Sequence, residues 1–299
     1  MTKTYHSAFI ALIGRPNCGK STLLNTVLEE QLSIVTSLPQ TTRRNLKGIY
    51  TDTSMQLVFI DTPGIHQGKH TLNEAMIEQA GRVVKTGDAD ILCYIVDLMR
   101  DFGDEEASIT GIVSTWQKPC ILVFNKKDLC TAPDKKIAEF MERFPGLNAI
   151  PFIIISANEK SSKTVFLKTV RPFVPEGPRF YPGDDLTDEN LRFFAAEYLR
   201  RCIIQNTRDE IPHACFIEVD SYKEKEKGHF IETTIHVETR GQRGILVGKG
   251  GALIAKIRRY AESDMKKLTG VPAYIKCHIK VTPRWRNNSG FLRSHGYEI

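Results

Sequence analysis

One short segment constrains the fold of this chain more than any other. Residues 14–21 follow an apolar run that ends at Ile13, and a segment with helical periodicity comes next. The segment fits the pattern GxxxxGK[ST], which in this setting predicts a tight loop whose backbone N–H groups and following helix N-terminus face phosphates. The alternative is a chance glycine-rich turn, which the flanking strand and helix disfavour. We therefore expect the whole loop to contact a nucleotide, namely Gly14, Arg15, Pro16, Asn17, Cys18, Gly19, Lys20 and Ser21.

A second motif supplies a carboxylate for a metal ion. In a loop of this kind the lysine, Lys20, pairs with the β- and γ-phosphates and the hydroxyl of Ser21 binds magnesium. An apolar run at 57–60 ends at a carboxylate, and ligands of open α/β sheets bind at the carboxyl ends of strands. We expect Asp61 to hold the metal from its second shell and the Gly64 N–H to sense the γ-phosphate. The motif is Asp61-Thr62-Pro63-Gly64.

Two further strand ends predict which base is bound. The run at 121–124 ends in Asn125-Lys126-Lys127-Asp128, and the last strand ends at Ser156-Ala157. The carboxylate of Asp128 matches the two adjacent donors on the edge of guanine, whereas adenine would leave it unpaired. A site built on buried hydrogen bonds rejects an analogue that lacks them by roughly 10⁴-fold. Since the Ala157 region offers a backbone N–H to the guanine carbonyl, the sequence predicts a site for GTP and GDP.

A polar loop at 40–44, Gln-Thr-Thr-Arg-Arg, lies between the first helix and the second strand and is long enough to order with the γ-phosphate. One threonine should complete the magnesium shell; we favour Thr42, although Thr41 stays open. Ile65 occupies the position after the second motif, where Ras-like enzymes carry a water-orienting glutamine. We therefore predict slow hydrolysis that needs a partner, a monovalent cation near Asn17, or both. The predicted catalytic residues are Lys20, Thr42 and Gly64.

The first half of the chain alternates apolar runs with helical patterns, which predicts a mostly parallel sheet with helices on both faces. Three prolines and two glycines within 174–183 mark the best domain boundary. We therefore divide the chain into a P-loop GTPase domain at 1–174, a linker at 175–186 and a second domain at 187–299. The runs are 8–13, 48–51, 57–60, 91–96, 121–124 and 152–155, and the helical segments are 20–28, 71–86, 104–116, 133–143 and 161–171.

The second domain carries an α-β-β-α-β pattern and most of the positive charge. Residues 240–299 hold 13 Lys and Arg against 3 Asp and Glu, which predicts a polyanionic partner, nucleic acid first and an anionic membrane second. A merely solvated basic face is the alternative. The expected elements are a helix at 187–205, strands at 214–220 and 230–238 joined by a charged turn at 223–227, a glycine-rich turn, a helix at 252–268 and a strand at 273–281.

A GxxG turn at 248–251 leads into the basic helix, and the combination resembles a type II KH module of α+β fold. Bare glycines let an RNA backbone approach closely while Lys249 and the helix N-terminus meet its phosphates. Trp285 stands between two arginines and has two interpretations, base stacking or core packing. The predicted contacts to single-stranded RNA are Gly248, Lys249, Gly250, Gly251, Lys256, Arg258, Arg259 and Trp285.

Taken together, the motifs GRPNxGKS, QTTR, DTPG, NKxD and SA, a proline-rich linker and a KH-like half resemble the Era family of GTPases. The resemblance implies a monomeric GTPase that uses Mg²⁺, binds the 3′ end of small-subunit rRNA rather than DNA, and assists assembly of the 30S subunit. It also implies potassium coordination by Asn17 and peripheral attachment to the inner face of the cytoplasmic membrane. Ile65 conforms to the family, whereas Cys18 stands where valine is common and should make the loop sensitive to thiol reagents.

Cysteine usage and hydropathy set the expected location. Seven scattered cysteines without a CxxC pair predict reduced thiols and a cytoplasmic protein. The longest apolar runs fall short of the roughly twenty residues that a spanning helix needs. Two other functions stay open: a metabolic kinase that uses the same loop, which the NKxD motif disfavours, and a nucleotide-independent RNA-binding scaffold with a vestigial GTPase site.

Overall fold

The central strand of the first unit, β1 (His6–Ile13), is apolar on both sides because it packs between two layers of helices. In a computed structural model, which describes residues 4–35, 43, 45–65 and 71–297, the chain divides into a unit that ends at Asp188 and a unit spanning Glu189–Tyr297. Successive residues of β1 point to opposite faces, so that Leu12 lies in one buried cluster and Ile13 in the other. The first unit thus has a hydrophobic core on each side of its sheet.

The sheet of the first unit has the order β2-β3-β1-β4-β5-β6. Strand β2 pairs with β3 in the antiparallel sense, and the other pairs are parallel. This confirms the predicted P-loop GTPase fold with a mostly parallel sheet and helices on both faces. The strands are β2 Leu46–Thr51, β3 Met55–Asp61, β4 Ile91–Asp97, β5 Cys120–Asn125 and β6 Phe152–Ile154; the helices are α1 Lys20–Leu28, α2 Thr71–Lys85, α3 Asp104–Ser114, α4 Pro133–Arg143 and α5 Ser161–Val170.

The proline- and glycine-rich segment packs against the first unit. Its backbone bonds to the start of β1, where the Ser7 N–H donates to the oxygen of Pro175 at 3.1 Å, and to β2, where the Ile49 N–H donates to the oxygen of Leu186 at 2.8 Å. The buried side chain of Gln56 accepts from the N–H groups of residues 180 and 181 and donates to the oxygen of residue 181. The interpretation of 175–186 as a linker stays a prediction.

The second unit is built on a three-stranded sheet of order β7-β8-β9, which agrees with the predicted α+β fold. Strands β7 and β8 are antiparallel, β8 and β9 are parallel, and helices α6 and α9 pack on each other over the sheet. In the described residues no helix has both the length and the apolar character that crossing a bilayer requires. The elements are α6 Leu191–Asn206, α7 Ile211–Ala214, β7 Phe216–Lys225, β8 Gly228–Val237, α8 Arg240–Val247, α9 Ala252–Thr269, β9 Ala273–Val281 and α10 Ser289–Ser294.

Three local expectations for this unit were wrong. Helix α6 begins at Leu191 and not at residue 187, because the Asn190 side chain accepts from the Phe193 N–H and fixes the helix start there. Strand β7 continues to Lys225 through most of the segment expected to be a turn. Helix α8 occupies part of the expected glycine-rich turn: its two internal glycines disfavour a helix, but Thr239 and residue 242 cap it reciprocally.

Candidate functional site

The phosphate loop lies between β1 and α1 at the carboxyl edge of the sheet. Lys20 is buried, and its ammonium donates to the backbone oxygens of Gly14 at 3.1 Å and Arg15 at 2.9 Å. The turn requires left-handed backbone at Asn17 (φ 62°) and Gly19 (φ 107°). A Cβ on Gly19 would lie 2.0 Å from the Asn125 side-chain nitrogen, so that only glycine fits.

The side chain of Arg15 ties the loop to helix α3. Its guanidinium forms an ion pair with Glu105 and lies 3.0 Å from a carboxylate oxygen of the buried Glu106. Burial acts to lower the pKa of Arg15, but the charges and hydrogen bonds of the two glutamates outweigh it, and the net effect is a raised pKa. The arginine therefore holds the loop against α3 as a permanent cation.

Oxygen atoms of three side chains, Asp61, Ser21 and Ser33, form a metal corner beside the loop. Asp61, at the end of β3, is fully buried, and its Oδ2 accepts from the hydroxyls of Ser21 at 2.6 Å and Ser33 at 2.9 Å. Hydroxyl and carboxylate oxygens are the ligands that Mg²⁺ prefers, usually with phosphate and water completing its shell. No cluster of three or more His, Cys, Asp or Glu able to hold a metal exists among the described residues. The donor set thus fits a magnesium ion that depends on a bound phosphate.

Gly64 lies against the phosphate loop. A Cβ there would be 2.6 Å from the backbone nitrogen of Pro16, so this close approach requires glycine. The next residue, Ile65, is buried, and its N–H donates to the oxygen of Gly14 at 3.1 Å. The hydroxyl of Thr62 points into the sheet and donates to the oxygen of Leu12 at 2.7 Å. Thr42, the favoured metal ligand, and the other residues of the QTTR motif except Arg43 lie outside the described residues.

Asn125 joins the two ends of the site. Its side-chain nitrogen donates to the oxygen of Cys18 at 2.7 Å, and its side-chain oxygen accepts from the Ala157 N–H at 2.8 Å. The asparagine therefore links the phosphate loop to the segment expected to meet the base. Asp128, which should recognise guanine, is exposed three residues further on.

Asp97 is a functional candidate that the motifs did not reveal. It ends β4, is 2% exposed, and its Oδ2 accepts from the Lys126 ammonium at 2.7 Å. The Met99 N–H donates to its other oxygen at 3.0 Å. A carboxylate at the carboxyl end of a parallel strand is a signal that could have identified it.

These elements enclose a cleft of about 490 Å³, a size that suits a nucleotide. Eleven of the predicted residues line it: Pro16, Asn17, Gly19, Lys20, Ser21, Gly64, Asn125, Lys126, Asp128, Ser156 and Ala157. Six residues that the motifs did not include also line it: Thr22, Ile34, Val35, Arg100, Leu129 and Asn158. Seven predicted residues, all within the described part of the chain, are not among its lining: Gly14, Arg15, Cys18, Asp61, Thr62, Pro63 and Lys127.

The expectation that Cys18 makes the loop sensitive to thiol reagents was wrong for this conformation. The side chain is 1% exposed, and burial raises the pKa of the thiol above its ordinary value despite the nearby Lys20. The thiolate is the reactive form, and a reagent must also reach it. Neither condition holds at Cys18.

The GxxG segment of the second unit lies between α8 and α9. Gly248, Gly250 and Gly251 all have positive φ, of 71°, 60° and 80°, and a Cβ at either of the last two would meet open space. Lys256 and Arg259 are exposed on α9. A groove of about 850 Å³ adjoins the segment, and three cations that the motifs missed, Arg240, Arg243 and Lys280, line it together with Gly244, Val247, Gly248, Ile279 and Val281.

Trp285 does not lie on this surface. It is fully buried, and its ring nitrogen donates to the oxygen of Ala214 at 2.8 Å. The rings of Phe216 and Phe291 lie 5.6 and 5.8 Å from its ring. The base-stacking interpretation was therefore wrong, because the indole belongs to the core of the unit.

The fold and the two sites define a class of protein, a P-loop GTPase followed by a KH domain. A family model described as "50S ribosome-binding GTPase" matches residues 9–126, and a KH domain model matches residues 210–286. A GTPase Era of Geobacter metallireducens is 38% identical over 297 residues, with 98% of both chains covered. One of Clostridium botulinum is 37% identical over 296 residues, with 98% of this chain and 99% of the other covered. The chain belongs to the GTPase Era family, whose members hydrolyse GTP.

Solved structures agree with this assignment over the full length. A crystal structure of Era in complex with MgGDPNP and nucleotides 1506–1542 of 16S ribosomal RNA has a TM-score of 0.92 at 29% identity, with 99% of this chain and 100% of that chain covered. An Aquifex aeolicus Era variant bound to GDP·AlF4⁻ has a TM-score of 0.91 at 29% identity, with coverage of 98% and 100%.

Proposed function

We propose that this protein is a GTP-dependent switch that binds single-stranded RNA at the 3′ end of small-subunit rRNA and assists assembly of the 30S subunit. One observation carries the nucleotide half of the proposal. A single cleft joins the phosphate loop, the Ser21 hydroxyl, which donates to the buried Asp61 carboxylate, and the exposed carboxylate of Asp128. That arrangement suits a guanine nucleotide with Mg²⁺, and the relative bound to MgGDPNP and 16S rRNA nucleotides supports it.

In the proposed mechanism the residues of the first unit bind and orient GTP. Lys20 meets the β- and γ-phosphates, Ser21 and one threonine of the QTTR motif hold Mg²⁺, and Asp61 positions the ion. The metal, when bound, neutralises charge on the phosphates. Gly64 reports the γ-phosphate through its N–H, because it already lies against the loop.

Base recognition in this mechanism uses the other end of the cleft. Asp128 accepts from the two adjacent guanine donors, and the Ala157 region donates to the guanine carbonyl. Asn125 fixes the relative position of the two ends through its bonds to residues 18 and 157. The pairing of Asp128 with guanine disfavours the alternative of a metabolic kinase, because the adenine of ATP would leave this carboxylate without a partner.

Slow intrinsic hydrolysis is part of the proposal. Ile65 is buried and carries no group that could orient a water molecule. In this proposal, potassium held near Asn17, or a partner, promotes hydrolysis in place of the water-orienting glutamine that Ras-like enzymes carry at this position. Asn17 lines the cleft and has a positive φ of 62°.

The RNA half of the proposal rests on the GxxG segment. Glycines 250 and 251 have no Cβ to block the open space beside them, Lys249 lies between them and Gly248, and the adjoining groove is lined by cations. We assign the GTPase role to residues 1–174, the linker role to 175–186 and RNA binding to 187–299. We further propose that the protein acts as a cytoplasmic monomer, with peripheral attachment to the inner membrane face and without a role for DNA.

Nucleotide competition tests the first half. Mant-GDP bound to the protein should be displaced by GTP and GDP but not by ATP, and Lys20→Ala should abolish turnover. Displacement by ATP as effective as that by GTP would overturn guanine selectivity. RNA affinity should then differ between the GDP and GMPPNP forms, whereas equal affinity would favour the nucleotide-independent scaffold.

Fluorescence anisotropy with single-stranded RNA tests the second half. A salt series should show log-linear weakening, and removing one phosphate contact should reduce the slope by about 0.7. Lys249→Asp combined with Gly250→Asp should abolish binding. The matched control is Lys223→Asp on the β7–β8 hairpin, which should bind RNA nearly as the wild type does.

A further inference from the structure

Ser33 has a network of contacts that the motifs did not predict. It is 6% exposed, and its hydroxyl donates to Asp61 Oδ2 at 2.9 Å. The same oxygen accepts from the Ser21 hydroxyl at 2.6 Å. Two hydroxyls from different parts of the chain therefore fix one carboxylate oxygen at the metal corner.

The backbone of Ser33 is held as firmly as its side chain. The Ser33 N–H donates to the side-chain oxygen of Asn25 at 2.8 Å, and the Asn25 side-chain nitrogen donates back to the Ser33 oxygen at 2.8 Å. This reciprocal pair resembles the pairing of two peptide groups and orients the serine with respect to α1. The hydroxyl of Ser33 consequently reaches the carboxylate from a fixed point.

The network closes on helix α1. Ser21 and Asn25 are four residues apart, so they lie on the same face of the helix, one turn from each other. The ring runs from Asp61 to Ser21, along one turn of α1 to Asn25, across to Ser33 and back to Asp61. Because the three links outside the helix are hydrogen bonds at 2.6–2.9 Å, the carboxylate has little freedom to rotate.

We infer that Ser33, oriented by Asn25, is a positioning residue that fixes the Asp61 carboxylate for magnesium. The inference rests on the proposed function, because it assigns Asp61 to the metal. A carboxylate that serves a metal needs hydrogen-bond partners to fix its orientation, and mutation of such partners typically costs 10–100-fold in metal affinity. Ser33 provides this support from outside the phosphate loop and outside the DTPG motif.

The test is the dependence of mant-GDP release on free Mg²⁺. Ser33→Ala should raise the Mg²⁺ concentration that half-maximally slows release by about 10-fold or more. Release in EDTA should stay at the wild-type rate, because the metal-free nucleotide does not use the carboxylate. Asn25→Ala should shift the Mg²⁺ midpoint in the same direction, and Ser33→Thr, which keeps the hydroxyl, should restore it.

Ser7→Ala is the matched control. Ser7 is also buried, with 2% of its surface exposed against 6% for Ser33, but it lies at the start of β1, at the end of the sheet opposite the carboxyl edge. It should leave the Mg²⁺ midpoint unchanged. An unchanged midpoint in Ser33→Ala, or faster release to the same extent with Mg²⁺ and with EDTA, would overturn the inference. Failure of the wild type to bind mant-GDP, or to respond to Mg²⁺ at all, would instead refute the proposed function.

Discussion

Gln56 offers a measurable test of how the proline-rich segment is held. Its side chain is fully buried in β3 and accepts from the N–H groups of Phe180 and Tyr181 at 2.8 and 3.0 Å. It also donates to the Tyr181 oxygen at 2.9 Å and to the Thr51 hydroxyl at 3.0 Å. The substitution Gln56→Ala removes this partner from three backbone groups of the segment at once.

The expected loss of stability follows from those three groups. Each partly buried group that loses its partner costs about 1 kcal/mol, at the low end of the usual range, so Gln56→Ala should lower the free energy of unfolding of the first unit by about 3 kcal/mol. That is a large fraction of the 5–15 kcal/mol typical of a folded domain. The mutant should also exchange the amide hydrogens of residues 180 and 181 faster.

Urea unfolding and hydrogen exchange followed by mass spectrometry measure these two effects. The exposed Gln117, on the loop after α3, provides the control, because Gln117→Ala removes only one weak contact at 3.5 Å. A loss below about 1 kcal/mol in Gln56→Ala, with unchanged exchange at residues 180 and 181, would show that the segment is held by its other contacts and that the reasoning is wrong.

Three further predictions concern buried groups. Cys18 should resist alkylation in the native protein and react after unfolding, as mass spectrometry of labelled peptides can establish; native labelling would contradict its burial. Trp285→Phe should destabilise the second unit by about 1–3 kcal/mol through loss of the bond to Ala214, without weakening RNA binding by the folded protein, as thermal unfolding and anisotropy will show. Burial lowers the pKa of His236 below its ordinary value of 6.5. As the pH falls through 6.5, the imidazole therefore binds a proton in the unfolded chain before it does so in the folded one, and the stability of the second unit should decrease. The melting temperature should follow that trend, and His236→Gln should flatten it.

The strand ends that precede the motifs were predicted well from the sequence. The phosphate loop, Asp61 and Asn125 each follow an apolar run, and parallel pairing brings the ends of those runs to one edge of the sheet. The hydrophobic pattern predicts where the strands lie in the sequence, and the strand ends determine where the motifs lie in the sheet. This is why the sequence could predict that these motifs meet at one edge of the sheet.

The roles of residues that depend on tertiary contacts could not be predicted from the sequence in this way. Trp285 has two arginines as sequence neighbours, yet its environment is an aromatic core assembled from three separate elements. Ser33 has no motif around it, and only the fold brings it to Asp61. The start of α6 was misplaced because a preference for Asp or Thr as a cap exists at several positions, and the chain uses Asn190.

Polar side chains in and beside the cleft form hydrogen bonds between different strands and helices, so the two ends of the cleft are mechanically linked. Asn125 of β5 contacts the phosphate loop, Asp97 of β4 holds Lys126, and Ser33 joins α1 to β3. A group that is already positioned by the protein loses little conformational freedom when a ligand binds, so more of its interaction energy becomes binding energy. The two ends of the cleft are therefore one preorganised unit, because a shift of Asn125 would disturb the loop at Cys18 and the segment at residue 157 together.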